Sequence, residues 1–394
     1  MKRMKKLYII GAGPSGMMAA IVAKEQHSNL EVILIERNNV LGKKLKLTGG
    51  GRCNVSAAVT NEEVIKNTVK NGKFLYSALM QFNTNDICVF FEQLSCPLKV
   101  EAHNRVFPQS DDANDIILVL KRKMKELSIK IQYNTKVEAI KNTTIITNKG
   151  SYKYDYLILA TGGYSYTMTG SDGTGYVLAK QLGHTITDLQ PAEVPLVSND
   201  AVIQSKELQG LSFADIRLTV LDKGKPKNTI EHDLIFTHFG ISGPAALQAS
   251  YYVQKGLRKE TPVTILIDFL PTVSLETLQK ECKAMNIEDI FRIHNLPKRL
   301  CEYLKKQPKE DIGILQRIKK FPLTIYTTRG FANAFVTNGG ISVKEIDPKT
   351  MKSKLHDNVA FCGEMLDLHG HTGGYNITIA FVSGYVAGKF IAQK

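Results

Sequence analysis

The short apolar run Leu7-Tyr-Ile-Ile10 breaks directly into Gly11-Ala-Gly13-Pro-Ser-Gly16, and the residues from Pro14 to about Gln26 then read as a helix. Strand, glycine turn, helix and a second apolar strand, Glu31-Val-Ile-Leu-Ile35, make a βαβ unit, which requires a parallel sheet. Each glycine has its own duty. Gly11 makes the tight turn, Gly13 lets the backbone approach a pyrophosphate, and Gly16 lets the helix sit close to the sheet. The helix N-terminus, opening at Pro14 and Ser15, adds free N–H groups and a partial positive charge. Glu36 closes the second strand twenty residues after Gly16, the place of an acid that binds ribose hydroxyls. A carboxylate there favours the unphosphorylated adenosine ribose of FAD or NAD over that of NADP.

Two or three domains are expected from 394 residues. Apolar residues at 43 % and charged residues at 22 % exclude a disordered, collagenous or small disulfide-stapled chain. No uninterrupted apolar run approaches the roughly 18 residues of a membrane span. The basic start Met1-Lys-Arg-Met-Lys-Lys6 imitates a signal peptide, but the apolar run behind it ends at once in Gly11, so it reads as a first strand of a cytoplasmic protein. The six cysteines include no C-x-x-C pair, as suits a reduced compartment. Neither cysteines nor carboxylates stand at metal-like spacing, and no metal site is expected. Lys plus Arg exceeds Asp plus Glu by 51 − 37 = 14. That balance favours anionic ligands or nucleic acid, yet the basic residues are scattered and read mainly as a solvated surface.

The pattern along the chain places a nucleotide-binding domain at 1–190, a β-rich insert at 191–272 and a helical segment at 273–322, with the nucleotide-binding domain resuming at 323–394. Ile116 to Leu127 reads as a helix, with β structure from Ile129 to Ile140, and Tyr156-Leu-Ile-Leu-Ala160 is a further buried strand. Leu275, Leu278, Cys282 and Met285 recur at helical spacing in the third part, which Pro297, Pro308 and Pro322 punctuate. A last helix opens near Gly374.

Four further segments decide which dinucleotide. Gly42 to Asn54 is a second glycine-rich loop, with Lys44, Thr48, Gly51, Arg52, Cys53 and Asn54 as candidate contacts. The strand ending in Thr161-Gly162-Gly163 is similar to the turn where flavoproteins pass over the nucleotide. Near the end, Gly363-Glu364-Met-Leu-Asp367 resembles a flavoprotein segment whose acid binds the ribityl or phosphate region. Gly373-Gly374-Tyr375-Asn376, followed by Ile377, then opens a helix whose N-terminus can stabilise negative charge on a reduced flavin. Arg37 and Val137 complete the candidate cofactor contacts. Four segments from both chain ends agree on FAD rather than free NAD.

On these residues, with Lys46-Leu-Thr48-Gly49-Gly-Gly-Arg52-Cys53-Asn54, Thr161-Gly-Gly163-Tyr-Ser165-Tyr166 and Phe236-Thr-His238-Phe-Gly240-Ile-Ser242-Gly243-Pro244, the chain resembles the BaiN-type NAD(P)/FAD-dependent oxidoreductases, also called the aminoacetone oxidase family. The resemblance spans nearly the whole chain. It implies an α/β fold, a two-dinucleotide-type Rossmann-like FAD domain with an inserted β-barrel-like part and a helical part. Ser165-Tyr166-Thr167, Ser171-Asp-Gly-Thr-Gly175 and Leu368-His369-Gly370-His371 depart from the family's pattern close to where substrate should meet flavin.

His238, His371 and Tyr166 are the candidates for acid/base chemistry or substrate contact, with His369 a further pocket residue. Cys53 lacks the second nearby cysteine of a disulfide reductase and reads as a packing residue. No second G-x-G-x-x-G stands between strand and helix, so NAD(P)H, where used, docks transiently. The expected activity is FAD-dependent transfer of hydride or electrons from NAD(P)H or a small organic donor to oxygen or an unsaturated organic acceptor. A flavin-dependent RNA-modifying protein and a non-catalytic flavin-bound interaction protein are the alternatives. The absence of an RNA-binding module with interleaved aromatics speaks against a nucleic-acid partner.

Overall fold

A computed structural model describes residues 3–259, 262–306 and 313–393; Met1, Pro308 and Lys394 lie outside the described residues. The chain divides into two units, Met1–Pro191 with Val336–Lys394, and Ala192–Phe335.

The first unit contains β1 (Lys6–Ile10), α1 (Pro14–Gln26), β2 (Glu31–Ile35), α2 (Ala113–Glu126), β3 (Lys130–Gln132), β4 (Tyr156–Leu159), β5 (Val359–Phe361) and α3 (Tyr375–Phe390). The five strands form one parallel sheet in the order β5-β4-β1-β2-β3. From β1 the chain moves outward to β2 and β3, then crosses back to β4 and β5 on the other side. The carboxyl ends of the strands at such a reversal are the usual ligand position in sheets of this kind. The strand residues Leu7–Ile10, Val32–Ile35 and Leu157–Leu159 are buried without alternation, as in a parallel sheet covered on both faces.

Helices α1 and α3 have no polar face. Ser15 through Ala23 are all buried, as is Thr378 through Gly384, which places both helices inside the unit rather than on its surface. Small residues let them meet. A Cβ on Gly384 would lie 2.3 Å from the Ser15 carbonyl oxygen, and one on Gly388 would lie 2.4 Å from that of Ala19. Helix α2 is the contrasting surface helix. It buries Ile116, Val119, Leu120 and Met124 on one stripe, and its cap Asp112 accepts from Asn114 N at 2.8 Å.

The second unit is built on a seven-stranded antiparallel sheet, ordered Phe321–Ile325, Val263–Asp268, Ser212–Asp222, Lys225–Thr237, Gly240–Ser242, Leu196–Val197, Thr327–Thr328. Its core joins Phe213, Phe236, Phe269 and Phe321 to Leu278, Ile290 and Leu300 from the helical stretch. Two expected boundaries therefore move. Phe321–Ile325 pairs with Val263–Asp268, and Thr327–Thr328 with Leu196–Val197, so the first unit resumes at Val336 rather than at 323. The helices over 275–319 are an excursion between strands of one sheet, sharing its core, and the division at 272/273 is not a domain boundary. Among the described residues, no helix is long and apolar enough to cross a membrane.

Candidate cofactor site

Gly11, Glu36, Thr161 and Gly363 all follow the carboxyl ends of parallel strands, so the sheet itself brings them to one edge. Gly11 has φ +102°, and a Cβ there would lie 2.5 Å from the Ala160 carbonyl oxygen. A Cβ on Gly16 would meet the Gly11 oxygen at 1.9 Å. Gly13 differs from both, since its Cβ would meet nothing within 4 Å. Beside that open space α1 begins with Pro14 and with no side chain capping its N–H groups, an arrangement suited to an anion. The buried Glu36 carboxylate is locked to the turn. Its Oε2 accepts from Ala12 N at 2.9 Å, and its Oε1 accepts from Asn38 N and Nδ2 at 2.8 and 2.7 Å.

The rear of the chain closes on this loop. A Cβ on Gly363 would lie 2.4 Å from Ser15 Oγ, and Gly363 N donates to Ser383 Oγ on α3 at 2.9 Å. Thr161 N and Oγ1 reach the Met365 sulfur at 3.3 and 3.1 Å. Gly163 leaves room for Glu364, whose carboxylate would stand 2.8 Å from a Cβ there, while Gly162 turns the chain at φ +77°. Ser56 Oγ and Thr378 Oγ1 are 3.0 Å apart, and a Cβ on Gly374 would press on the Ser56 carbonyl. Val137 is buried in a separate antiparallel meander, paired with Thr147.

All three candidate cations are already matched by acids. Arg37 pairs with Asp172 at 2.5 Å, and Lys44 with Glu364 at 2.7 Å. Arg52 reaches Glu101 and Asp111 at 2.9 and 3.2 Å, with its guanidinium 4.0 Å above the Phe107 ring. These contacts make Arg52 a brace for its own loop. Glu364 also accepts from Ser165 Oγ at 3.0 Å and Thr337 N at 2.9 Å, making it a hub between segments. Negative charge on a ligand would therefore be met chiefly by backbone N–H groups and helix ends. Thr48 spends its hydroxyl on the Leu45 carbonyl at 2.7 Å, and Gly51 takes φ +90° beyond it.

Cys53 sits at φ +61° with its side chain fully buried, and burial pushes its thiol up to about 12. Burial does the same to Cys362. A thiol-specific reagent at neutral pH should label the exposed Cys282 first. Cys53 and Cys362 should react only on unfolding; rapid labelling of Cys53 in native protein, read by peptide mass, would restore a redox role.

At the head of α3, Gly373 and Gly374 take φ +125° and +102°, with Tyr375 and Ile377 partly buried behind them. Asn376 ties the preceding segment down: its Oδ1 accepts from Gly370 N at 2.8 Å, and its Nδ2 donates to the Gly370 oxygen at 2.6 Å. Two buried acceptors near this end, Asn54 Oδ1 and Asp367 Oδ1, have no hydrogen-bond partner among the described residues. Asn54 Oδ1 lies 3.0 Å from the position of a Gly374 Cβ. Buried acceptors demand donors, and the imide N–H and polyol hydroxyls of FAD are such donors, while its phosphates suit the α1 end. The residues present fit FAD.

His371 is half-buried beside this helix end, donating its backbone N–H to the Asn67 carbonyl at 2.9 Å. His369 is fully buried, and burial, with His371 and Lys70 nearby, pushes its imidazole down to about 3. Tyr166 adopts the left-handed region at φ +50°, uncommon for a bulky residue. His238 is an exposed residue of the second unit, in the turn between Lys225–Thr237 and Gly240–Ser242. Sequence reasoning missed Lys70, Asn71, Ser165, Thr337 and Ser383. Only Ser165 lies inside a recognisable motif; the other four stand in stretches with no local signature.

The sequence profile described as "HI0933-like protein Rossmann domain" matches residues 5–390. A 3-dehydro-bile acid delta(4,6)-reductase of Clostridium scindens is 30 % identical, over 99 % of this chain and 100 % of the relative. A ribosomal RNA dihydrouridine synthase of Escherichia coli is 27 % identical over 98 % of each. Among solved structures, a 3-ketosteroid-delta4-(5alpha)-dehydrogenase from Rhodococcus jostii shares the fold with a TM-score of 0.51, at 13 % identity over 99 % of this chain and 97 % of that one.

Proposed function

Since the chain belongs to the HI0933-like Rossmann-domain family and is an FAD-dependent oxidoreductase, we propose that it reduces a carbon–carbon double bond conjugated to a carbonyl, drawing electrons from NAD(P)H that docks only transiently. The observation that carries the cofactor reading is the open space at Gly13, faced by an uncapped helix end and bordered by the Glu36 carboxylate. When bound, FAD supplies the two-electron hydride chemistry. The chain's own residues do the rest. The N-terminus of α1 receives the pyrophosphate, Glu36 receives ribose hydroxyls, and the N-terminus of α3 offers partial positive charge where electron density accumulates.

The acceptor class rests on a shared chemistry. The Clostridium scindens relative is named for the delta(4,6) unsaturation of a 3-dehydro, hence 3-keto, bile acid. Dihydrouridine, for which the Escherichia coli relative is named, is uridine saturated at a double bond conjugated to a ring carbonyl. In either case hydride goes to the carbon remote from the carbonyl and a proton to the nearer one. His371, half-buried next to the α3 glycines, is the side chain we assign to that proton. His371→Asn should slow acceptor reduction about a hundredfold and leave bleaching of the flavin by NAD(P)H unchanged. Equal loss in both half-reactions would remove His371 from the chemistry.

A ribosomal RNA acceptor is the second reading, favoured by the Escherichia coli relative and by the net charge of +14. Anaerobic mixing separates the cases. NADH or NADPH should bleach the flavin, and a small cyclic enone or a uridine-containing ribosomal RNA should restore its colour. Recovery with the enone alone supports a small-molecule reductase, and recovery with RNA alone the second reading. Failure of both nicotinamides to bleach the flavin would remove NAD(P)H as the donor.

A further inference from the structure

Asp367 is 3 % exposed, and its two carboxylate oxygens have unlike surroundings. Oδ2 accepts from Lys70 Nζ at 2.7 Å and from the Asn71 amide at 3.3 Å. Oδ1 is buried without a hydrogen-bond partner among the described residues. The backbone beneath is fixed as well. Asn71 Nδ2 donates to the Asp367 carbonyl at 2.8 Å, and Asp367 N donates to the Ile341 carbonyl at 2.9 Å. The strand Thr68–Lys70 carries Lys70 into this position by pairing antiparallel with His369–Gly370.

A carboxylate oxygen taken out of water and given no donor is costly, and here the geometry around its twin prevents the carboxylate from rotating away. The missing partner must be a donor. A phosphate, which only accepts, would be repelled. A second cation is not called for, because Lys70 already balances the charge. A hydroxyl meets the requirement, and Asp367 lies four residues beyond Gly363, which rests against Ser15 of the glycine turn.

Building on the FAD assignment proposed above, we infer that Lys70 and Asn71 form a clamp that holds Asp367 Oδ1 towards the polyol hydroxyls of the cofactor. Lys70 is then a positioning residue, acting on the flavin only through Asp367. Without it the carboxylate loses both its orientation and the charge that permits its burial.

The test measures FAD affinity of the full-length apo-protein by quenching of flavin fluorescence, for wild type, Lys70→Met, Asp367→Asn and the double variant. Lys70→Met should weaken FAD at least about tenfold, the loss expected when a hydrogen bond to a charged group is removed. The double variant should be no weaker than Asp367→Asn alone, because the two residues act as one unit. Unchanged affinity in Lys70→Met, or losses that add in the double variant, would overturn the clamp. Should Lys70→Met fail to fold, Asn71→Gly carries the same cycle, since Asn71 stands at φ +59° and glycine accepts that backbone while deleting the amide. Wild-type protein that takes up no FAD would overturn the cofactor reading itself, a result distinct from a tight-binding wild type with an indifferent Lys70→Met.

Discussion

Gly13→Glu should yield folded, colourless protein. The backbone at Gly13 has φ −76° and ψ −177°, extended values open to any L-residue, and the new side chain would enter space with no atom within 4 Å of its Cβ. Stability should therefore change by less than about 0.5 kcal/mol, as for a surface substitution. The cofactor should fare differently. A carboxylate about 4 Å from a pyrophosphate charge costs on the order of 4 kcal/mol at an effective dielectric of 20, or nearly a thousandfold in affinity. Arg37, Lys44 and Arg52, the cations among the candidate contacts, are each already paired with an acid. Gly16→Ala is the instructive contrast. Its Cβ would collide with the Gly11 oxygen at 1.9 Å, so that variant should lose stability before it loses flavin. Flavin absorbance after desalting, beside a urea unfolding curve, checks both. Yellow Gly13→Glu protein would remove the phosphate from the mouth of α1.

The legible part of this site was the local part. Gly11, Gly13, Gly16 and Glu36 lie within one βαβ unit, where spacing along the chain fixes spacing in the fold. The glycines at 363, 373 and 374 were legible for the same reason, each marking the end of a strand or the start of a helix. Ion pairing was not legible, because a sequence displays a cation without its partner. Arg52 stood in the most specific motif of the chain, yet its partners Glu101 and Asp111 lie 49 and 59 residues away. The contacts of Lys70 and Asn71 with Asp367 were invisible because they require strand Thr68–Lys70 to pair with His369–Gly370 across three quarters of the chain. The misplaced boundary has a similar origin. Pro322 looked like the end of a helical segment, but it sits inside an edge strand, where proline's missing N–H is tolerated. The partner of that strand, Val263–Asp268, lies on the far side of the helical excursion.

Gly384→Val should unsettle the first unit more than any single change at the site itself. Helices α1 and α3 are both buried, and they approach so closely that a Cβ on Gly384 would stand 2.3 Å from the Ser15 carbonyl oxygen and 3.0 Å from its Cα. Those atoms are backbone, held on one side by the glycine turn and on the other by the parallel sheet, so no side-chain rotation relieves the clash. Overpacking of a core typically costs about 1–3 kcal/mol, and a clash against fixed backbone belongs at or above the top of that range. That is a large share of the roughly 5–15 kcal/mol by which a domain is stable. The second unit has its own core, so the transition of the first unit should shift while that of the second keeps its midpoint. The flavin should loosen with it, because pushing α3 away displaces Ser15, and Ser15 belongs to the mouth of α1. Gly384→Ala, with one methyl instead of three carbons, should show the same two effects at smaller size. A valine variant with the wild-type midpoint would mean that α1 and α3 have room to part, and the front and rear of the chain would not then be held together by this contact.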